Sequence, residues 1–315
     1  MSDLSSATAS QDDLVRPFQL ESGPIRGRLV RLGTTADEVL TRHGYPVAVA
    51  TLLGEALALT AALSSALKFD GIFTLQAKGD GPCRMLVADL ATPGRMRGYA
   101  QFDRDAAAPD DAIEDGRASV PRLLGAGHLA FTVDQGINDR YQGIVSLEGH
   151  SLADCAHHYF QESEQIPAAL HVVAGQAGPS GAWRAGALLL QRLPEGDPAL
   201  LARGAEFDRE DTEEAWHRAV TFLATAKREE LLDPGLDGDD LLFRLFHEEG
   251  VRVFDPTPVG FGCRCTPERA VAVLRQLDDE ELAGLADDGR IEVRCEFCNT
   301  PYLYDLEELR PTGRP

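Results

Sequence analysis

Residues 46–67, PVAVATLLGEALALTAALSSAL, form an almost unbroken apolar run whose one charged member is Glu55. A helix that is apolar on every side must be covered on every side, by lipid or by the rest of its own chain. The run approaches the roughly 20 residues that a bilayer crossing needs. Glu55 sits near its middle, however, small residues dominate it, and no cluster of Lys or Arg flanks it to set an orientation. We therefore expect a helix at the centre of a soluble domain, with neighbouring segments wrapped around it. A chain of 315 residues with 43% hydrophobic content has the material for such a core and the length of about two domains.

The flanking segments read as short strands and helices. IRGRLVRLG (residues 25–33) alternates like a half-buried strand, and TTADEVLTRHG (34–44) opens on Thr and closes on Gly as a short helix does. Residues 71–90 hold two strands around the turn Gly79-Asp80-Gly81-Pro82, and residues 128–147 a second pair around 135–139. SLADCAHHYFQESEQIP (151–167) is a capped amphipathic helix, with Leu152, Cys155, Tyr159 and Phe160 at helical spacing. ALHVVAG and AGALLLQRL are two further strands that complete a second sheet. The expected class is α+β: an N-terminal domain of two β-sheets around a buried central helix, a helical linker, and a small C-terminal four-cysteine zinc domain. The expected boundaries are a disordered tail at 1–16, the core domain at 17–195, the linker at 196–255 and the zinc domain at 256–315. The insert AAAPDDAIEDGRAS (106–119) is expected to be a solvated loop.

Charge narrows the function. The formal net charge is −21, a repulsive field for any phosphate backbone, so nucleic acid is not an expected partner. The first residues lack the basic start and apolar run of a secretory signal, and their acidic residues argue against a transit peptide. Six cysteines in this length are too sparse for a disulfide scaffold, which fits a reducing cytosolic location, and the reading of residues 46–67 as a buried helix leaves no membrane partner expected. Acidic residues concentrate after Leu193, where residues 197–250 carry 15 Asp or Glu against 6 Lys or Arg. Trp216, Val220 and Leu223 recur there on one face of an otherwise charged helix, which makes them candidates for a covered or conditionally uncovered apolar surface.

Four of the cysteines are spaced as metal ligands: Cys263 and Cys265 in GFGCRC, and Cys295 and Cys298 in RCEFCNTPY. Two close thiol pairs brought together supply the four sulfurs a tetrahedral zinc ion needs. A four-thiolate site is coordinatively closed, so its zinc serves structure or redox sensing, not catalysis. Between the pairs, Thr266 and Asp278 cap two short helices that offer only Leu274, Leu277, Leu282 and Leu285 as a core. So small a module is marginal without a staple, and structural zinc contributes on the order of 10–16 kcal/mol in small peptides. Thiolates are also the oxidisable form of cysteine, so a redox role and a purely structural zinc ribbon both remain open at this point. Cys83 and Cys155 read as free buried cysteines, and Cys155 with His157 and His158 does not read as a metal cluster, because adjacent helical residues point in different directions. The Gly79 turn lacks the Lys-Ser/Thr of a phosphate-binding loop, and no Ser, His and acid combination stands out, so no enzyme is expected.

The fragments LKFDGIFTLQAKGDGP, RMRGYA, RYQGIVSLEGHSLADC, YFQESEQIP, LLFRLFHEEGVRVFDPTPVGFGCRC and EVRCEFCNTPYLYD occur in this order. In this they resemble the redox-regulated heat-shock proteins of 33 kDa, a bacterial family of holdase chaperones, over residues 18–309. The resemblance implies that Cys263, Cys265, Cys295 and Cys298 bind one zinc ion in a reduced, inactive protein. It implies too that oxidative stress pairs Cys263 with Cys265 and Cys295 with Cys298, after which the linker unfolds. The uncovered apolar surface then holds unfolding client proteins without ATP, usually as a homodimer, until reducing conditions return them to ATP-dependent foldases. Thr266 stands where the family commonly has serine, and Gly260 and Gly262 flank Phe261 where bulkier or polar residues are usual. Two other readings stay in play: a zinc-ribbon regulatory or interaction protein without redox activation, and a thiol-disulfide oxidoreductase. The last would place its C-x-x-C at a helix N-terminus, whereas EVRCEFCNTPYLY reads as a strand and knuckle.

Overall fold

The structure, a computed structural model, describes residues 12–104, 112–136, 139–161, 166–194 and 208–309. The chain divides into two compact units between Phe261 and Gly262. In the first, strands β1 (Leu14–Leu20) and β2 (Ile25–Leu32) precede helix α1 (Thr34–Leu40) and the long helix α2 (Val47–Ser64). Strands β3 (Ile72–Gly79), β4 (Cys83–Ala91) and β5 (Arg95–Phe102) follow, then a small hairpin, β6 (Ile113–Glu114) and β7 (Arg117–Ala118), and α3 (Val120–Leu123). Next come β8 (Gly127–Asp134), β9 (Arg140–Ser146), α4 (Leu152–Tyr159), β10 (Ala168–Ala177) and β11 (Ala182–Arg192). The linker contributes α5 (Arg209–Ala224), α6 (Arg228–Leu232) and α7 (Gly238–Phe246), followed by the short strands β12 (Val251–Val253), β13 (Thr257–Pro258) and β14 (Gly260–Phe261).

Two sheets form around α2. The first runs β10-β11-β2-β1-β12, with β13 also on β1, and the second runs β14-β5-β4-β3-β8-β9. Every residue of α2 from Ala48 to Ser64 is buried, so the helix satisfies its all-round apolar composition inside the protein. It is long and apolar enough to cross a membrane, yet almost all of its length is enclosed by the two sheets and their loops. Glu55, its one charge, accepts the backbone N–H of Ala118 at 3.1 Å. Burial pushes the Glu55 pKa up to about 8, although that hydrogen bond and the charges of Arg117 and Arg228 pull it down.

The first sheet is buried on both faces, which explains the unbroken apolar run of β11. Val30, Leu32, Val172, Ala187 and Leu189 face α2, while Leu29, Ile25, Val173, Leu188 and Leu190 join a second core. The other half of that second core is the linker: Ala215, Ala219 and Leu223 from α5, Leu231 and Leu232 from α6, and Leu241, Leu242, Leu245 and Phe246 from α7. Phe246 stacks on Phe18 with ring centroids 5.6 Å apart. Two guanidinium groups, Arg31 buried and Arg218 exposed, reinforce the layer. Arg31 in β2, only 1% exposed, donates to the carbonyls of Asp233 and Leu236 in the linker, and Arg218 in α5 forms a two-pronged pair with the buried Glu249 at 2.7 and 3.1 Å.

Several boundaries differ from expectation. The tail was expected to reach residue 16, but β1 starts at Leu14, because Leu14 and Val15 find partners in both β2 and β13; residues 1–11 lie outside the described residues. The zinc domain was expected from 256, but β13 and β14 are paired with β1 and β5 of the first unit, so the division falls after Phe261. Of the expected solvated loop at 106–119, residues 106–111 lie outside the described residues. The remainder is the β6–β7 hairpin, whose Ala112 and Ala118 are fully buried beside α2. Strand β5 was not anticipated, because its inward residues Met96, Gly98 and Ala100 are small or flexible and are separated by Arg97 and Tyr99. In the linker, residues 196–207 lie outside the described residues. Leu223 is buried there and Trp216 packs at the edge of the core, but Val220 is turned to the flank, since contact is made by the Ala215–Ala219–Leu223 row.

The second unit contains α8 (Pro267–Leu274), α9 (Asp279–Leu285), the hairpin β15 (Arg290–Arg294) and β16 (Pro301–Asp305), and the terminal turn α10 (Leu306–Leu309). Thr266 caps α8, and Asp278 with Glu281 forms a reciprocal capping box on α9. Its core is Leu274, Leu282, Ile291 and Leu309, with Leu277 partly buried. Leu285, expected inside, is 55% exposed, because Ile291 and Leu309 from the hairpin and the terminal turn fill the space beside Leu282.

Candidate metal centre

The four cysteines come from two dissimilar pieces of backbone. Cys263 and Cys265 lie on the extended segment that enters α8. Cys295 and Cys298 lie in the turn of the β15–β16 hairpin, where Asn299 N–H closes back on the Cys295 carbonyl at 2.8 Å and Cys295 N–H donates to Thr300 at 3.0 Å. Asn299 takes the left-handed conformation that this knuckle requires, with φ of 56°. Tyr304 ties the pieces together by donating its hydroxyl to the Pro267 carbonyl at 2.8 Å.

All four Sγ atoms lie within 4.8 Å of one another. Cys263 Sγ is 3.7 Å from Cys295 Sγ, and Cys265 Sγ is 3.4 Å from Cys298 Sγ. Those separations are far beyond the 2.03–2.05 Å of a disulfide. They approach the ~3.8 Å edge of a tetrahedron whose sulfurs each stand about 2.3 Å from a central zinc. The four sulfurs therefore fit a tetrahedral metal ion. Tyr302 donates its hydroxyl to Cys265 Sγ at 3.1 Å, and Cys298 Sγ is hydrogen-bonded to the Thr300 hydroxyl at 3.1 Å, so two of the sulfurs are oriented by neighbours. Burial pushes the Cys295 thiol up to about 12 and Cys265 in the same direction. Burial opposes ionisation of Cys298 too, yet the Thr300 side-chain and backbone contacts outweigh it and bring that thiol down to about 6. A dication at the centre reverses this logic and favours four thiolates together.

Other candidates fall away. Cys83 and Cys155 are buried, and burial pushes both thiols up to about 12, outside the reactive range. Among the described residues no second group of three or more His, Cys, Asp or Glu side chains converges, so Cys155, His157 and His158 do not form a site. The C-x-x-C sits in a hairpin turn, not at the start of a helix, and therefore lacks the helix-terminus activation of a catalytic dithiol. Tyr302 and Thr300 were not anticipated as partners of the sulfurs, although both lie just beyond Cys298 in the motif NTPY.

A two-sheet α+β body carrying a helical layer, followed by a separate lobe whose four cysteines could hold a metal ion, defines a recognisable class of two-unit proteins. The family model for Hsp33 protein matches residues 13–305. The chain is 44% identical over 311 residues to the 33 kDa chaperonin of Caulobacter vibrioides (strain NA1000 / CB15N), covering 97% of this chain and 99% of that one. It is 38% identical over 301 residues to the 33 kDa chaperonin of Cronobacter sakazakii, covering 95% and 94% respectively. The crystal structure of the 33 kDa chaperonin (heat shock protein 33 homolog) from Thermotoga maritima superposes with a TM-score of 0.77 at 25% identity, covering 94% of this chain and 96% of that one. The chain belongs to the Hsp33 family.

Proposed function

We propose that the protein is a redox-regulated, ATP-independent holdase chaperone whose reduced, metal-bound form is inactive. Family membership and the chaperonin relatives support the general class. The observation that carries the mechanism is the cover on the first sheet: Phe18, Leu20, Ile25, Leu29, Leu188 and Leu190 are shielded by linker helices with charged outer faces. Lifting those helices bares a contiguous apolar surface of the kind that unfolding proteins bind.

Zinc bound by Cys263, Cys265, Cys295 and Cys298 would keep the four sulfurs as thiolates and hold the two cysteine segments of the lobe together. On oxidation Cys263 pairs with Cys265 and Cys295 with Cys298. Each pair loses two electrons as its S–S bond forms, and one peroxide molecule per bond takes up two electrons and two protons to become two waters. Disulfide sulfurs are no longer thiolate ligands, so the lobe loses its staple and unfolds. The linker, whose dense negative charge opposes its compact state, then detaches with Trp216, Val220 and Leu223 among the residues it exposes. The partners are unfolding client proteins and, in the active state, a second copy of the chain. The setting is the cytosol, with neither nucleic acid nor membrane as partner and no bond in the client made or broken.

The test is light scattering of an aggregating client with reduced and with peroxide-treated protein, alongside metal release and disulfide mapping. Suppression of aggregation only after oxidation is the expected result. Equal suppression by the fully reduced, metal-loaded protein would overturn the proposal, and turnover of a disulfide substrate would favour an oxidoreductase.

A further inference from the structure

Arg228 is the first residue of α6 in the linker, but its guanidinium is seated in the core domain. Its Nε donates to the Gly116 carbonyl at 3.3 Å, in the turn between β6 and β7, and Nη2 donates to the Ala174 carbonyl at 2.9 Å in β10. Space for the side chain is provided by two glycines. A Cβ placed on Gly175 would lie 1.7 Å from Arg228 Nη2, and one placed on Gly116 would lie 2.7 Å from Arg228 Cδ. The hairpin that supplies Gly116 is anchored from beneath, since Ala118 N–H donates to the buried Glu55 carboxyl of α2 at 3.1 Å. Arg117 approaches His171 Nδ1 of β10 to 3.4 Å alongside it. The central helix, the hairpin, strand β10 and the linker thus meet around one guanidinium.

This contact, like the bonds from Arg31 to the Asp233 and Leu236 carbonyls, differs in kind from the apolar packing of the linker. The Leu and Ala contacts of the outer layer are non-directional and tolerate small displacements. A planar guanidinium shared between two fixed carbonyls does not, because both hydrogen bonds are lost once α6 moves by a few ångströms. We propose that Arg228 is a latch: its seat between Gly116 and Ala174 holds α6 on the core domain and sets how readily the outer layer lifts while the lobe is still reduced. The link from lifting to client holding rests on the proposed function; the seat itself does not.

Hydrogen exchange on the full-length, reduced, metal-loaded protein separates the two. In R228M, and in G175A where the new Cβ displaces the guanidinium, exchange across residues 228–232 should rise about tenfold to a hundredfold, the usual worth of hydrogen bonds from a charged donor. Protection of α2 should not change. R228K keeps the charge but cannot reach both carbonyls in a planar fork, so it should give a smaller rise, and it decides the matter if G175A loses protection in α2 as well. Unchanged exchange across 228–232 in both R228M and R228K overturns the latch. Raised exchange accompanied by client holding under reducing conditions supports latch and function together. Raised exchange with no client holding supports the latch and counts against the proposed function.

Discussion

The two faces of the first β-sheet are built from the same strands but covered in opposite ways. Its inner face packs on α2, a helix with no polar side, while its outer face packs on α5, α6 and α7, whose water-facing residues are mostly charged, with Phe243 an exposed apolar exception. Adjacent leucines of β11 divide between them: Leu189 goes inward, and Leu188 and Leu190 go outward. A helix apolar all round cannot leave its site without exposing its whole surface, so the inner cover is permanent. An amphipathic helix keeps a solvated side whether docked or not, so the outer cover is held by a smaller difference. Each buried Leu or Phe contributes about 1.5–3 kcal/mol, set against about 1–2 kcal/mol of backbone entropy per ordered residue. The C-terminal lobe lies at the far end of the same scale, with a core cluster of four buried apolar side chains and a separate group of four converging thiols.

The strongest way to break this ordering is to remove the metal proposed for the four cysteines. Stripping it from the reduced protein with a tight chelator should abolish amide protection throughout residues 262–309, because structural zinc supplies on the order of 10–16 kcal/mol in small modules. Protection in α2 should survive. A lobe that stays protected without metal would show that its small core suffices.

A pair of truncations compares the two covers directly. Leu57→Ala in α2 should cost about 2–5 kcal/mol of global stability, read as a shift of the whole denaturant transition. Phe246→Ala should cost about 3–5 kcal/mol, but mainly at the outer layer, read as faster exchange across 209–246 with little change in α2. Equal loss of protection in α2 and α5 in the second variant would mean that both covers form one cooperative unit.

The buried Glu55 gives the inner core a pH dependence. Its folded pKa is raised from 4.5 to about 8, so the folded state binds more protons than the unfolded state between those values. Stability of the core should therefore fall as pH rises from about 4.5 to about 8 and level off above it. E55Q, which can still accept the Ala118 N–H, should flatten that slope and melt higher than wild type at pH 8. An unchanged slope would show that Glu55 does not govern it.

The smallest effect belongs to the support of the sulfurs. Tyr302→Phe removes the hydroxyl donor to Cys265 and should weaken metal affinity by about 10- to 100-fold in a competitive chelator titration, with four-thiolate coordination retained.

Much of this organisation was legible in the chain. The apolar run at 46–67 demanded a surrounding fold, alternation and turns marked β2, β3, β4, β8, β9, β10 and β11, and the capping residues Ser151, Thr266 and Asp278 begin the helices they were expected to begin. The convergence of the four cysteines was legible because they fall in two close pairs at the short spacings that metal ligands use. Strand β5 and strands β12–β14 were not, since short or arginine-rich strands gain their pairing only from a neighbour distant in sequence. Leu285 was misplaced for a related reason, as a helix's own period does not reveal which other element fills the adjoining space.

What the sequence determined by itself was local or compositional: a helix that has to be buried, a layer with one charged side, and four thiols spaced for a metal. Which face of which sheet the linker covers, that Ala215 and Ala219 make the contact and Val220 does not, and that Arg228 reaches Gly116 and Ala174 were decided by the tertiary structure. Periodicity reports how residues are arranged about their own element's axis, whereas docking depends on where separate elements meet in space, and only the folded chain specifies that.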